Sequence, residues 1–232
     1  MSNWGTIAVG TRIGEGRCDP LFFRSWTNLV VGGLQRGDGV LDPAVELPHH
    51  MAANVLVREF MRCGCDTLCM IDSDMVFPAD TVRRLRDAPA GAGYDILSAL
   101  FTVRRAPYAP VVLKNHLISD SNGIRWEHQA HPELITGDVA QVDATGPAFC
   151  LIRRSVFVHL SEYAPWWFDW GERGLGEDTN FSQRAIKAGC KIGVHTGVSI
   201  EHRGAVGFRW DADKQTTTTC EYHQIGELVK HK

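Results

Sequence analysis

The sequence predicts a mixed α/β protein in which a mostly parallel central sheet is flanked by helices. Short continuous apolar runs, such as residues 67–71 and 94–103, have the composition of strands buried on both faces. Between them lie segments in which apolar residues recur at helical spacing, such as residues 48–62. Because strands that alternate with helices are brought side by side by helical crossovers, this order favours parallel pairing.

The individual elements follow from this patterning and from the glycines and prolines that interrupt it. Strands are predicted at residues 6–9, 29–31, 67–71, 94–103, 107–114, 148–152, 191–194 and 198–200. The strand at 107–114 is expected at a sheet edge because it contains two prolines. Helices are predicted at residues 48–62, 78–87, 154–160 and 177–188. We expect residues 115–140 to be irregular, one domain over residues 1–210, and a polar tail or lid over residues 211–232.

The composition excludes several classes of protein. The 232 residues are 44% hydrophobic and 22% charged, which suffices for one globular domain with a core. The formal net charge of −3 provides no general attraction to nucleic acid or anionic membranes. The longest apolar stretch is about half of the ~20 residues that a membrane-spanning helix needs, and residues 1–16 lack the apolar run of a signal peptide. We therefore expect a cytoplasmic protein without a membrane anchor, whose seven cysteines are mostly buried, reduced thiols.

Two acids, Asp72 and Asp74, directly follow the apolar strand at residues 67–71. In open α/β sheets, ligands bind beyond the carboxyl ends of the strands, where this pair is expected. Two carboxylates so close together repel each other unless a cation lies between them, and Mg²⁺ or Mn²⁺ prefers such oxygen ligands together with substrate phosphates. The alternative is an Asp-rich turn before the next helix, but Asp80 is better placed to cap that helix. We favour the metal site.

A second group of polar residues begins with Glu177 and Asp178 at the start of a predicted helix. Acids at this position complement the helix dipole, which by itself explains them. The preceding glycines and the aromatic cluster at residues 166–170 favour a functional site, since flat apolar faces suit sugar rings. Trp166, Trp167 and Trp170 fit either acceptor binding by stacking on a sugar or a packed hydrophobic corner.

Taken in order, four motifs resemble those of the GT-A class of nucleotide-sugar glycosyltransferases, in particular short bacterial and phage-like members of the family-2 type. They are the helix with Asn54, the segment MIDSD at 70–74, the segment GPAFCLIRR at 146–154, and the segment GEDTNFSQR at 176–184 followed by His202. The resemblance extends from about residue 6 to residue 204. It implies a single Rossmann-like GT-A domain.

The resemblance also implies how a donor and a metal are bound. Asp74 would coordinate the Mn²⁺ or Mg²⁺ ion that bridges the donor diphosphate, His202 would be a further protein ligand, and Asp72 would contact the ribose or the metal through water. The remaining donor-binding positions would be Thr11 and Arg12 at the nucleotide base, together with Asn54, Ser73 and Gly146.

The same resemblance implies the reaction. Asp178, next to Glu177, would be the general base that deprotonates an acceptor hydroxyl, and attack opposite the leaving diphosphate would invert the anomeric carbon. The donor would be a nucleotide-diphosphate sugar, with a UDP-sugar favoured, and the enzyme would be of the hexosyltransferase type. The acceptor would be a glycan, a protein or a small molecule, and a modified DNA base has the least support because the charge is near neutral.

Two other functions are compatible with parts of the sequence. The segment DSDMV at 72–76 matches the pattern of haloacid-dehalogenase-like phosphohydrolases, in which the first Asp is the phosphoryl acceptor. That motif normally lies on the first strand, whereas two predicted strands precede it here. The other alternative is a non-catalytic nucleotide-sugar-binding module, which has no need of a base such as Asp178.

Overall fold

A computed structural model of the chain describes residues 4–14, 18–104, 107–120, 123–162, 165–171, 175–204, 207–211 and 216–220. The helices of this described part are α1 (Pro20–Asn28), α2 (His49–Cys63), α3 (Thr81–Asp87), α4 (Arg154–Ser161) and α5 (Glu177–Lys187). The strands are β1 (Ile7–Ile13), β2 (Gly39–Val40), β3 (Ala44–Val45), β4 (Thr67–Asp72), β5 (Met75–Val76), β6 (Ile96–Leu100), β7 (Leu113–Asp120), β8 (Gly123–Ala130), β9 (Val139–Val142), β10 (Phe149–Arg153), β11 (Ile192–Ser199), β12 (Glu201–Arg203), β13 (Gly207–Asp211) and β14 (Thr216–Cys220).

The central sheet has the strand order β2, β1, β4, β10, β6, β11, β9, with β3 also beside β1. Strand β1 is parallel to β2, β3 and β4, and β6 is parallel to β11. Strand β10 runs antiparallel between β4 and β6, and β9 is antiparallel to β11. The predicted α/β fold with a mostly parallel central sheet is therefore confirmed, with two reversed strands that the sequence did not indicate.

Helices cover both faces of this sheet, as strand β4 illustrates. Leu68 and Met70 belong to one hydrophobic cluster together with Phe60 of α2. The alternate residues Cys69 and Ile71 belong to a second cluster, which contains residues of α1 and α3. Because successive side chains of a strand point to opposite faces, an uninterrupted apolar run is what a strand between two helical layers requires.

Helix α2 and its end agree with the sequence prediction. Its buried residues recur at helical spacing and include Ala52, Leu56 and Phe60. The helix ends at Gly64, which has a left-handed φ of 78° that favours glycine. Helices α4 and α5 lie where they are predicted, and α3 begins at Thr81, later than the predicted residue 78.

The strand predicted at residues 29–31 is wrong. Leu29–Gly33 forms a π-helical turn that continues α1. Leu29 is buried, whereas Val31 is 82% exposed, so that the segment buries one helical side rather than a strand face. The real neighbour of β1 at this edge is the short strand β2.

The region predicted as an edge strand at 107–114 and an irregular segment at 115–140 also differs. It contains the antiparallel hairpin β7–β8, in which Leu113 pairs with Ala130 and Asp120 with Gly123, and then strand β9. The hairpin forms a two-stranded sheet of its own outside the central core. Its strands are polar and lack the apolar pattern from which strands are predicted.

The last described strands form a second sheet of order β14, β13, β12, β5. The predicted strands at 191–194 and 198–200 are largely a single strand, β11, with a register shift between His195 and Ser199. Thr216–Cys220, within the segment expected as a tail or lid, pairs with β13, and residues 221–232 lie outside the described residues. In the described part of the chain, no helix is long and apolar enough to cross a membrane.

Candidate active site

A cleft of about 500 Å³ lies beyond the carboxyl ends of β1, β4 and β6. Residues from separate parts of the chain meet there, because the ends of parallel strands lie at one edge of a sheet. Its polar lining residues are Arg12, His49, Asp72, Asp74, Arg104, Thr145, Glu177, Asp178, Thr179 and His202. Its other lining residues are Phe101, Val103, Val111, Leu113, Ala144, Gly146 and Ala148.

Asp72 forms a bidentate ion pair with Arg12. The two residues are direct neighbours in the register of β1 and β4. Arg12 Nε lies 2.7 Å from Asp72 Oδ1, and Arg12 Nη2 lies 2.9 Å from Asp72 Oδ2. Burial by itself would lower the pKa of Arg12, but the charges of Asp72 and Asp178 raise it above its ordinary value. The carboxylate of Asp72 is thus neutralised within the protein, and we do not assign it as a metal ligand.

Asp74 lies against His202. Strand β12 pairs with β5, which places His202 opposite Met75, the residue after Asp74. His202 Nε2 is 3.5 Å from Asp74 Oδ2, and Arg104 Nη1 is 2.8 Å from the same oxygen. Burial by itself would raise the pKa of Asp74, but the hydrogen bond and charge of His202, together with Arg104, hold that pKa below its ordinary value.

The surroundings of this pair fit a divalent cation. His202 Nδ1 is 2.7 Å from the carbonyl oxygen of Thr102, which only accepts hydrogen bonds, so Nδ1 carries a proton and Nε2 is the ring nitrogen that faces Asp74 and could coordinate a metal ion. Asp74 Oδ1 is buried without a hydrogen-bond partner among the described residues. Within that part of the chain, no three His, Cys, Asp or Glu side chains are grouped to hold a metal ion. A dication here would have two protein ligands and would take the others from substrate or water, as Mg²⁺ commonly does.

Asp178 is the carboxylate best suited to accept a proton. It follows Glu177 at the start of α5, and its Oδ1 is buried with no hydrogen-bond partner among the described residues. Burial raises the pKa of Asp178 to about 7, Arg12 opposes the rise, and the charges of Glu177 and Asp72 add to it. A carboxylate with this pKa can accept a proton at neutral pH.

Gly146 provides the space next to this base. A Cβ atom at residue 146 would lie 3.1 Å from Cζ of Phe101 and 3.5 Å from Oδ2 of Asp178. The first distance is tighter than ordinary packing allows, and any longer side chain would extend into the cleft. The expectation that a substrate approaches the backbone at Gly146 is compatible with this geometry.

Asn54, expected to bind the donor, lies elsewhere and has a structural role. Its Nδ2 donates to the carbonyl oxygens of His50 and Phe168, and its Oδ1 accepts from the backbone N–H groups of Trp167 and Phe168. Both donors and both acceptor positions of the amide are therefore used within the protein. Thr11 is also buried and is not part of the cleft lining, whereas Ser73 borders the cleft beside Asp72.

The aromatic cluster is divided between the core and the surface. Phe168 is buried and stacks on Phe181, and Trp167 Nε1 donates to the carbonyl oxygen of Phe157. Trp166 and Trp170 are 46% and 58% exposed. Trp166 lines a separate groove beside α2, where the guanidinium of Arg58 lies 5.5 Å from the centre of its ring.

His49 and the apolar wall of the cleft were not among the expected site residues. His49 is the first residue of α2, and no motif marks it. Most of the wall is formed by residues from the end of β6 to the start of β7, among them Phe101 and Leu113, whose apolar side chains are typical of ordinary core positions in the sequence. Arg104 follows β6, where the sequence allows either a phosphate contact or a solvated side chain, and the structure places it in the cleft lining and against Asp74.

Comparison with known proteins supports the fold directly. No family model matches the chain, and no curated protein matches it. Among solved structures, A197 from STIV has a TM-score of 0.58 at 14% identity, over 94% of this chain and 95% of that one. GalNAc-T7, crystallised with UDP, GalNAc and Mn²⁺, has a TM-score of 0.52 at 12% identity, over 86% of this chain. The aligned region is 44% of the GalNAc-T7 chain, so this chain corresponds to less than half of that protein. The fold is the GT-A-like fold of glycosyltransferases.

Replacing Asn54 tests its structural role. We expect Asn54→Ala to lower the free energy of unfolding by roughly 2–4 kcal/mol, because buried backbone N–H groups of Trp167 and Phe168 lose their acceptor. Chemical denaturation measures this change. Met51→Ala, at an exposed position of the same helix, is the control and is expected to change stability by about 0.5 kcal/mol or less. Equal effects of the two substitutions would contradict the assignment.

The buried carboxyl of Asp178 also predicts a pH-dependent effect on stability. The unfolded chain loses this proton near pH 4, whereas the folded protein retains it up to pH about 7. Between these values the folded state binds more protons, so Asp178 destabilises the protein increasingly as the pH rises. We expect Asp178→Asn to increase the free energy of unfolding relative to wild type, by on the order of a few kcal/mol at pH 8 and hardly at pH 4. Denaturation of Asp42→Asn, at an exposed site, is expected to show no such pH-dependent difference.

Proposed function

We propose that this protein is a metal-dependent glycosyltransferase of the family-2 type. It would transfer a sugar from a nucleotide-diphosphate sugar to an acceptor hydroxyl with inversion. The proposal rests on the set of residues that line one cleft in a GT-A-like fold. That cleft combines the Asp74–His202 pair, which suits a dication, with Asp178, a buried carboxylate whose pKa is about 7.

Asp74 and His202 would hold Mn²⁺ or Mg²⁺ together with the donor diphosphate. The ion, when bound, stabilises the negative charge that develops on the departing diphosphate. Ser73 and Asp72 border the same part of the cleft and are proposed to face the ribose, with Arg12 fixing the orientation of Asp72. A UDP-sugar is the proposed donor class, since GalNAc-T7, with the same fold, was crystallised with UDP, GalNAc and Mn²⁺.

Asp178 would remove the proton from the acceptor hydroxyl as that oxygen attacks the anomeric carbon. The proton moves to the carboxylate, and the electron pair of the broken bond leaves with the diphosphate. Arg12 favours the ionised form of Asp178, while Glu177 and burial disfavour it, so that the base is poised near neutral pH. A single displacement by this route inverts the configuration at the anomeric carbon.

The acceptor would enter along the apolar wall of the cleft. Phe101 and Leu113 belong to this wall, and Gly146 leaves room beside Asp178. The exposed rings of Trp166 and Trp170 are proposed to stack on a sugar of the acceptor outside the cleft, with Trp166 in the separate groove beside α2. Trp167 is proposed to support these two residues, since its indole N–H is bonded to the carbonyl of Phe157.

The phosphohydrolase alternative has less support. It requires Asp72 as the nucleophile, but both oxygens of that carboxylate accept hydrogen bonds from Arg12, which lowers its nucleophilicity. The fold comparison also favours the GT-A-like class. A non-catalytic binding module would leave the raised pKa of Asp178 without a use.

Loss of Asp74 tests the proposed metal site. With purified protein, Mn²⁺ and a panel of UDP-, GDP- and dTDP-sugars, we expect donor hydrolysis or transfer by wild type and a loss of about a thousandfold in Asp74→Asn. This corresponds to one unit-charge pair worth ~4 kcal/mol at 4 Å in a medium of effective dielectric ~20. Asp80→Asn, at a partly exposed acid paired with Arg83, is the matched control and is expected to retain activity. Equal activity of the two variants would refute the assignment of Asp74.

The raised pKa of Asp178 predicts the pH dependence of the reaction. At saturating Mn²⁺, we expect kcat/KM to rise about tenfold per pH unit up to pH about 7 and then to level off, because only the ionised carboxylate accepts the proton. Glu177→Gln removes a neighbouring negative charge and is expected to move this rise to lower pH. Glu162→Gln, at an exposed acid, should leave the profile in place. A flat profile between pH 6 and 8 would exclude Asp178 as the base.

A further inference from the structure

Arg104 lies against the carboxylate that would hold the proposed dication. Its Nη1 is 2.8 Å from Asp74 Oδ2, the oxygen that His202 Nε2 approaches to 3.5 Å. A second, weaker hydrogen bond joins the same Nη1 to the carbonyl oxygen of Arg203 at 3.4 Å. The side chain is 49% exposed, so it has freedom to move.

A guanidinium and a dication cannot share this carboxylate oxygen without strong repulsion. An ion about 2.1 Å from Asp74 Oδ2, on the side that faces His202 Nε2, would lie within about 5 Å of Arg104 Nη1, which is 2.8 Å from the same oxygen. With no anion between them these charges repel, which favours departure of Arg104 from Asp74 when the metal binds. Asp72, the neighbouring acid, does not offer a replacement partner, since both of its oxygens are bound to Arg12.

The substrate of the proposed function provides such a partner. A nucleotide diphosphate with one bound dication still has negative phosphate oxygens, and a guanidinium matches them geometrically with two parallel N–H groups. Arg12, the other guanidinium among the described residues of the lining, is buried and binds Asp72 through Nε and Nη2, which leaves only its Nη1 without a partner. Arg104 also borders the part of the cleft formed by Asp72, Ser73 and Asp74, where the diphosphate is expected.

We propose that Arg104 exchanges partners during binding: it neutralises Asp74 before metal and donor arrive, and afterwards binds the diphosphate of the donor. In the second position it would stabilise the negative charge of the leaving group. This inference rests on the proposed function, from which both the dication and the diphosphate are taken. Arg104 would thus compete with the metal for Asp74 before the donor binds, and would assist the metal at the diphosphate afterwards.

The two states predict opposite effects of one substitution. In the absence of nucleotide, Arg104→Gln is expected to bind Mn²⁺ about fivefold more tightly than wild type, because a partly exposed competing ion pair is removed. In the presence of saturating Mn²⁺, the same variant is expected to bind UDP about tenfold more weakly, because a charged phosphate contact is lost. Arg104→Lys keeps the charge but not the paired N–H groups, and is expected to lie between wild type and Arg104→Gln in both measurements.

Mn²⁺ binding is measured by electron paramagnetic resonance of the free ion, and UDP binding by calorimetry, with Arg83→Gln as the matched control. Arg83 is a partly exposed arginine paired with Asp80 and is not part of the cleft lining. Tighter Mn²⁺ binding together with weaker UDP binding, in Arg104→Gln alone, supports the exchange. Unchanged binding in both measurements identifies an ordinary ion pair, and weaker Mn²⁺ binding makes Arg104 part of the metal site. Either result overturns the proposal while the function stands. A wild-type protein that binds no Mn²⁺ overturns both the exchange and the metal-dependent function.

Discussion

The ion pair between Arg12 and Asp72 determines the character of the whole cleft. The two side chains lie next to each other because β1 and β4 are parallel neighbours and place them in direct register. Arg12 is buried, and burying a charge of this kind is unfavourable unless a partner of opposite charge accompanies it. With both oxygens of Asp72 engaged, Asp72 at the end of β4 and Asp74 just after it become chemically different from each other.

The acids of the cleft differ because different cations face them. Asp72 faces a permanent and fixed guanidinium, Asp74 faces His202 and the partly exposed Arg104, and Asp178 has a buried oxygen without a partner. The first carboxylate is therefore neutralised by Arg12, the second has replaceable cationic partners, and the third has a raised pKa. A site that binds a metal and also removes a proton needs carboxylates of both these latter kinds.

The sequence predicted what depends on local pattern and missed what depends on contacts between distant residues. The α/β fold, β4 and helix α2 with its end at Gly64 follow from periodicity and glycine, and are confirmed. The strand prediction at residues 29–31 was wrong because three apolar residues fit a strand and a helical turn equally well. The Arg12–Asp72 pair joins residues 60 positions apart, and no periodicity reveals which strands are neighbours. Asn54 belongs to one of the motifs that resemble GT-A glycosyltransferases. Its hydrogen bonds to the backbone of Trp167 and Phe168 are evident only in the folded structure.

The balance of charge in the cleft explains why its acids and its cations belong together. Among the described residues, its lining contains four carboxylates, those of Asp72, Asp74, Glu177 and Asp178, and two guanidinium groups, those of Arg12 and Arg104. A free nucleotide diphosphate would be repelled by this excess of negative charge, whereas a diphosphate that carries a dication has most of its charge removed. A bound dication would also replace Arg104 at Asp74 and so leave that guanidinium available for the phosphates. Metal and donor would thus be favoured as a pair, and the acceptor hydroxyl would meet Asp178 in a cleft whose repulsion has already been relieved.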